Sequence, residues 1–171
     1  MKTKARLGFI LIILFQVLIL AGWTVYNEVS IATGTDVVLQ TAPIDPFDPF
    51  RGEYVRLSYD ISRLQGVLGT AGYQYGDKVY VRLEQDGEVW KATGVSKSKP
   101  SNWDVFIAGE VESRFTTQTV VTYGIESYFV PQGKGMEIQN ARDIKVRVAI
   151  NHSGQGFITG LIVDGEPFQL N

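Results

Sequence analysis

The stretch "DKVYVRLEQDGEVWKATGV" (Asp77 to Val95) decides the fold class. It reads as two β-strands around Gln85-Asp86-Gly87, and Asp-Gly supplies the residues that a tight hairpin turn prefers. Upstream, "YVRLSYDI" (Tyr54 to Ile61) alternates: Val55, Leu57, Tyr59 and Ile61 face one way, and Tyr54, Arg56, Ser58 and Asp60 the other. That period of two belongs to a half-buried strand. "DVVLQTA" (Asp36 to Ala42) is a β-branched run that stops at Pro43. "WDVFIAGEVESRF" (Trp103 to Phe115) and "TVVTYGI" (Thr119 to Ile125) read as two more strands. "DIKVRVAI" (Asp143 to Ile150) and "QGFITGLIVDGEPF" (Gln155 to Phe168) form a further pair around "NHSGQG". "GKGMEIQNARD" (Gly133 to Asp143) is expected to be a short helix, and the four glycines of "ISRLQGVLGTAGYQYG" (Ile61 to Gly76) argue for a loop. Strands at this spacing with Gly-rich turns predict a mainly β fold, a small antiparallel sandwich or partly open barrel with one or two short helices.

A different solvent is written into the N-terminus. "LGFILIILFQVLILAGWTVY" (Leu7 to Tyr26) carries no charge. Twenty helical residues at about 1.5 Å rise cover about 30 Å, the hydrocarbon thickness of a bilayer. A cleaved secretory signal has a shorter apolar core and an A-x-A-like site, which "LILAGW" matches poorly. The expected organisation is therefore a basic cytoplasmic tail (1–6), a transmembrane signal-anchor helix (7–26), a linker (27–35) and an extracytoplasmic β-rich domain (36–171) in a single-pass protein of the cell membrane. Lys2, Lys4 and Arg6 set the N-terminus inside, and Trp23 and Tyr26 suit the outer interface. Gln16 lies in mid-span, where an amide can bond another helix or stand as a tolerated polar residue.

Charge narrows the function classes. Beyond Tyr26 there are 13 basic and 18 acidic residues, a net of −5. That excludes nucleic acid as an expected partner and disfavours docking on anionic lipid. The chain of 171 residues has no Cys and one His, which removes Cys-ligated zinc, disulfides and a Cys nucleophile.

"PIDPFDPFRGEYVRLSYDIS" (Pro43 to Ser62) holds the densest acids. Asp45, Asp48, Glu53 and Asp60 are weak candidates for Ca²⁺ ligands or a carboxylate pair. They lack a known ligand spacing, and Asp-Pro pairs are ordinary turn starters. His152 is a lone His in a turn, expected to face solvent, within an Asn-x-Ser sequon that matters only in a glycosylating host. Tyr54, Tyr59, Tyr73, Tyr75, Tyr80, Tyr123, Tyr128 and Phe129 make either a core with hydroxyls bonded at its rim or a Tyr-rich binding surface.

"GEYVRLSY" (Gly52 to Tyr59) resembles the signature of the GDYXXLXY family. Gly52, Tyr54, Leu57 and Tyr59 match, and Glu53 stands where the pattern has Asp. "YGIESYFVPQGKG" (Tyr123 to Gly135) is similar to the family's second block. The resemblance implies a small bacterial membrane-anchored protein with a polytopic membrane protein as partner. It brings no catalytic residue and no cofactor. The residues expected to carry an interaction are Arg51, Gly52, Glu53, Tyr54, Arg56, Leu57, Tyr59, Tyr123, Gly124, Glu126, Tyr128, Phe129 and Pro131. Glu126 is expected to pair with Arg51 or Arg56 and so join the two blocks. The Gly-acid strand start also resembles membrane-bound serine peptidases of the signal peptidase type. Where their S-M-x-P run belongs, this chain reads "LQTAPID", so a hydrolase ranks last. The leading expectation is a non-enzymatic accessory domain, ahead of a ligand or Ca²⁺ sensor.

Overall fold

The computed structural model describes residues 2–42, 54–65, 72–114, 118–130, 138 and 140–169. The chain divides into two compact units, Met1–Thr33 and Gly34–Asn171.

The first unit is one helix, α1 (Lys2–Ala32). Its segment Arg6–Ala32 is 27 residues with a mean hydropathy of 2.4, long and apolar enough to cross a membrane. The helix runs on through Asn27 to Ala32, so most of the expected linker is helical. No Gly or Pro interrupts the chain there, and an established helix adds a hydrogen bond with each further residue. It stops at Thr33, whose N–H and hydroxyl both donate to the Val29 carbonyl (2.9 and 2.8 Å).

The second unit is mainly β. In chain order it contains β1 (Thr35–Gln40), β2 (Tyr54–Arg56), a 3₁₀ turn (Asp60–Ser62), β3 (Arg63–Gln65), β4 (Lys78–Asp86) and β5 (Val89–Ser96). There follow β6 (Phe106–Arg114), β7 (Gln118–Thr122), β8 (Ser127–Phe129), β9 (Ile144–Ile150), β10 (Gly156–Val163) and β11 (Glu166–Pro167). They make three sheets, ordered β1-β9-β10-β11, β2-β8 and β3-β7-β6-β4-β5. All the strand pairs are antiparallel. Among the described residues the sheets do not close into a barrel.

The hairpin expected from Asp77 to Val95 is β4-β5, with Asp86 facing Val89 across Gly87-Glu88. Gly87 takes φ +65°, a left-handed first turn position that costs glycine little. Two expectations change. Arg63–Gln65, read as loop, is a strand because β7 offers it a ladder partner. The strand expected from Tyr54 to Ile61 breaks after Arg56 and turns through the 3₁₀ segment. The helix expected from Gly133 to Asp143 lies largely outside the described residues. Within it Ile138 is fully buried and its carbonyl accepts from Ala141 N–H (3.2 Å).

One core fills the space between the sheets. It takes Val37 and Leu39 from β1, Val79, Val81 and Leu83 from β4, Ile107 and Val111 from β6, and Val146 and Val148 from β9. The β9-β10 turn also touches the larger sheet: Ala108 N–H donates to the Gly154 carbonyl (2.8 Å), and a Cβ on Gly154 would meet the Phe106 ring at 2.8 Å. Lys145 on β9 reaches Glu88 in the β4-β5 turn (2.8 Å).

Between Ile107 and Val111, the inward position of β6 is a glycine, Gly109. A Cβ there would lie 2.5 Å from Val121 Cγ1, 2.6 Å from the Thr122 carbonyl and 2.8 Å from Tyr123 Cδ1. Two of these contacts are with branched or aromatic core atoms and one is with backbone, so relief requires β7 to move. Gly109→Ala is expected to lower unfolding stability by about 1–3 kcal/mol. Chemical denaturation of the purified protein checks this, and an unchanged midpoint contradicts it.

Candidate functional site

The segment from Leu57 to Ser62 is where the three sheets meet. Tyr54 faces Phe129 in β2-β8, and Gln65 faces Gln118 in β3-β7. The same number of residues separates these two pairs on either strand. The two ladders are therefore one antiparallel pairing interrupted in its middle, without a net insertion. At the upper lip of the break Leu57 N–H still donates to the Glu126 carbonyl (2.8 Å). From the other side, Ala42 N–H donates to the Ser58 carbonyl (2.8 Å), and Thr41 bridges to Tyr59. Thr41 also holds β9, since its N–H and its hydroxyl both donate to the Ile144 carbonyl (3.1 and 2.7 Å).

Inside the break two tyrosines replace the missing ladder. The Tyr59 hydroxyl crosses to the opposite strand and donates to the Ile125 carbonyl at 2.6 Å. The Tyr123 hydroxyl makes the reciprocal crossing and donates to the Ile61 carbonyl at 2.6 Å. Each acceptor lies two residues after the other tyrosine. Both rings are buried in the core with Val55, Leu57 and Ile61. Burial first, and then the nearby Glu126 carboxylate, pushes both hydroxyls well above the ordinary tyrosine range.

Glu126 serves the turn, and among the described residues it pairs with no arginine. Its carboxylate accepts from Tyr123 N–H (2.5 Å) and from Gly124 N–H (2.9 Å). Gly124 sits at φ +79°, the left-handed conformation that lets the two N–H groups converge. Of the two pairings expected for Glu126, the one with Arg56 is thus corrected, and the one with Arg51 lies outside the described residues. Arg56 reaches Glu112 at 3.9 Å, with the side chains 82% and 48% exposed, a geometry worth little in water.

The remaining expected residues divide as follows. Leu57, Tyr59 and Tyr123 are buried, and Tyr128 is half-buried. Phe129 is exposed at 61%. Tyr54 contributes its backbone to β2. Asp60 is exposed at the start of the 3₁₀ turn. Asp45, Asp48, Arg51, Gly52, Glu53 and Pro131 lie outside the described residues. Tyr73 is buried as well, whereas Tyr75 is 80% exposed on its turn. His152 is exposed. Asn151 is buried, and its Oδ1 accepts from Ser153 N–H, Ser153 Oγ and Gln155 N–H (3.0, 2.7 and 3.0 Å).

Reading by residue type missed the carbonyls of Ile61 and Ile125 and the turn-capping role of Glu126. A signal was available: Tyr59-Asp60-Ile61 and Tyr123-Gly124-Ile125 repeat the same Tyr-x-Ile spacing, one in each block.

An apolar helix of membrane-spanning length, joined to a mainly β unit closed by two crossed tyrosines, defines the class of this protein. The family model described as "GDYXXLXY protein" matches residues 16–161, and the chain belongs to the GDYXXLXY family. Neither the curated proteins nor the solved structures yield a match.

Two predictions test the junction. Tyr59→Phe and Tyr123→Phe each leave a buried carbonyl without its donor, and each is expected to cost about 1–3 kcal/mol of stability. Because the bonds share one break, a double-mutant cycle is expected to show coupling of about 0.5 kcal/mol or more, measured by denaturant unfolding; strict additivity contradicts the shared break.

The second concerns alkaline pH. Both hydroxyls ionise in the folded protein only above their ordinary value of 10.0. Above that value the unfolded state loses protons that the folded state keeps, so stability falls as pH rises. The contribution is fully present below about pH 10 and is lost toward the raised folded values. Unfolding midpoints measured upward from pH 9 are expected to drop steeply, and less steeply in the Tyr59→Phe, Tyr123→Phe double variant.

Proposed function

We propose that this protein is a single-pass, membrane-anchored interaction domain without enzymatic activity. In this reading α1 crosses the cytoplasmic membrane with the N-terminus inside, and the β unit works outside, where it binds a polytopic membrane protein. The observation that carries the proposal is how the signature side chains are used. Among the described residues of the two blocks, Tyr59, Tyr123 and Glu126 are groups suited to proton transfer, and each is committed to a structural hydrogen bond. A tyrosine whose hydroxyl is held far above neutrality is also a poor general acid. The signature is accordingly a fold determinant, and function belongs to surfaces that it positions.

Orientation is supported by Lys2, Lys4 and Arg6 ahead of the span, with no charged residue from Leu7 to Tyr26. Only Thr33 and Gly34 separate α1 from β1, so a partner within reach is one at the membrane. Crosslinking in native membranes followed by mass spectrometry tests the whole reading. The expected product is an adduct between the β unit and a protein with several spans, with a C-terminal reporter located outside the cytoplasm. Recovery of the protein alone from several mild detergents, with no such adduct, overturns the partner. A cytoplasmic reporter overturns the topology.

A further inference from the structure

Gln16 stands near the middle of the uncharged run from Leu7 to Tyr26. Two polar side chains of that run, Gln16 and Thr24, behave differently. The Thr24 hydroxyl turns back and donates to the Leu20 carbonyl (3.0 Å), which satisfies it within its own helix. The Gln16 amide has no hydrogen-bond partner among the described residues. An amide donor and acceptor left unpaired in hydrocarbon is costly, because no water is there to replace the partner.

We propose that α1 pairs with a second copy of this chain through reciprocal Gln16–Gln16 amide hydrogen bonds inside the membrane. The inference rests on the membrane-spanning reading of α1. A carboxamide is self-complementary: Nε2 donates while Oε1 accepts, so two of them related by a two-fold axis close two bonds and leave little unsatisfied. Identical chains inserted with one topology place their Gln16 residues at the same depth and in register, which is the condition for that closure. Ile12, Ile13, Ile19 and Leu20 lie one turn to either side on the face of Gln16 and supply the flanking contact. Leu14 and Leu18 point to the opposite face.

The chain has no cysteine, so a single introduced cysteine forms a disulfide only with another copy or another protein. The full-length chain is made with Ile12→Cys, Ile19→Cys, Leu14→Cys or Leu18→Cys and oxidised in native membranes. Strong self-crosslinking at Ile12→Cys and Ile19→Cys, with weak yield at the other two, is expected. Adding Gln16→Leu is expected to weaken self-association about fivefold, and Gln16→Asn to retain most of it. Equal yield on both faces, or a yield indifferent to Gln16→Leu, overturns the proposal. So does an adduct to a different protein at Ile12→Cys without self-crosslinking. Alkaline carbonate extraction separates the two readings: a chain that stays in the membrane uncrosslinked refutes the pairing alone, and a chain that is released refutes the span.

Discussion

An interrupted β-ladder leaves carbonyls inside a protein with nothing to accept from, and this molecule answers that constraint with two phenols. Where the pairing of β2-β3 with β7-β8 breaks, the carbonyls of Ile61 and Ile125 lie in the interval that the two ladders leave unpaired. Tyr59 and Tyr123 each donate across the gap to one of them. A buried carbonyl without a donor costs more than a hydrogen bond gains, so the exchange makes the break tolerable. With the break in place the Thr41–Ala42 end of β1 can reach Ser58 and Tyr59, and the four-stranded sheet is joined to the other two. Gly109 belongs to the same arrangement, since its missing side chain is the space into which Val121 and the Tyr123 ring settle.

Much of the architecture is legible in local sequence, for a physical reason. The alternation of Val55, Leu57, Tyr59 and Ile61 with Arg56, Ser58 and Asp60 survives the loss of the strand, because it records which side faces the core and not which backbone bonds are made. The β4-β5 hairpin is encoded by its own turn residues. What resists reading is long-range. Nothing near Arg63 says that β7 will pair with it, so glycines downstream suggest a loop. Opposite charge draws Glu126 toward Arg56 on paper, whereas two converging N–H groups at Tyr123 and Gly124 are closer and lie in the same turn. The candidate membrane span is the converse case. Its length and missing charge are one-dimensional facts, and the helix bears them out while extending past the last residue that they mark.

The described part of the family motif takes part in closing the fold. Of its positions, Leu57 and Tyr59 are core and Arg56 points to solvent with a weak partner. The aromatic residues sort the same way. Tyr59, Tyr73 and Tyr123 are interior, while among the described residues of the β unit Tyr75 and Phe129 are the large exposed ones.

The turn between β9 and β10 has a consequence for how the protein is produced. Asn151 heads an Asn-His-Ser triplet, yet it is buried and its carbonyl oxygen collects three donors from its own turn. A sugar transferase needs that side chain extended and free, which the finished turn does not offer. In a glycosylating host, and with the β unit on the far side of the membrane as proposed, occupancy at Asn151 becomes a clock: modified molecules met the enzyme before the turn closed, and bare ones closed first. The fraction carrying sugar would then read out, in living cells, the race between synthesis and the docking of this hairpin.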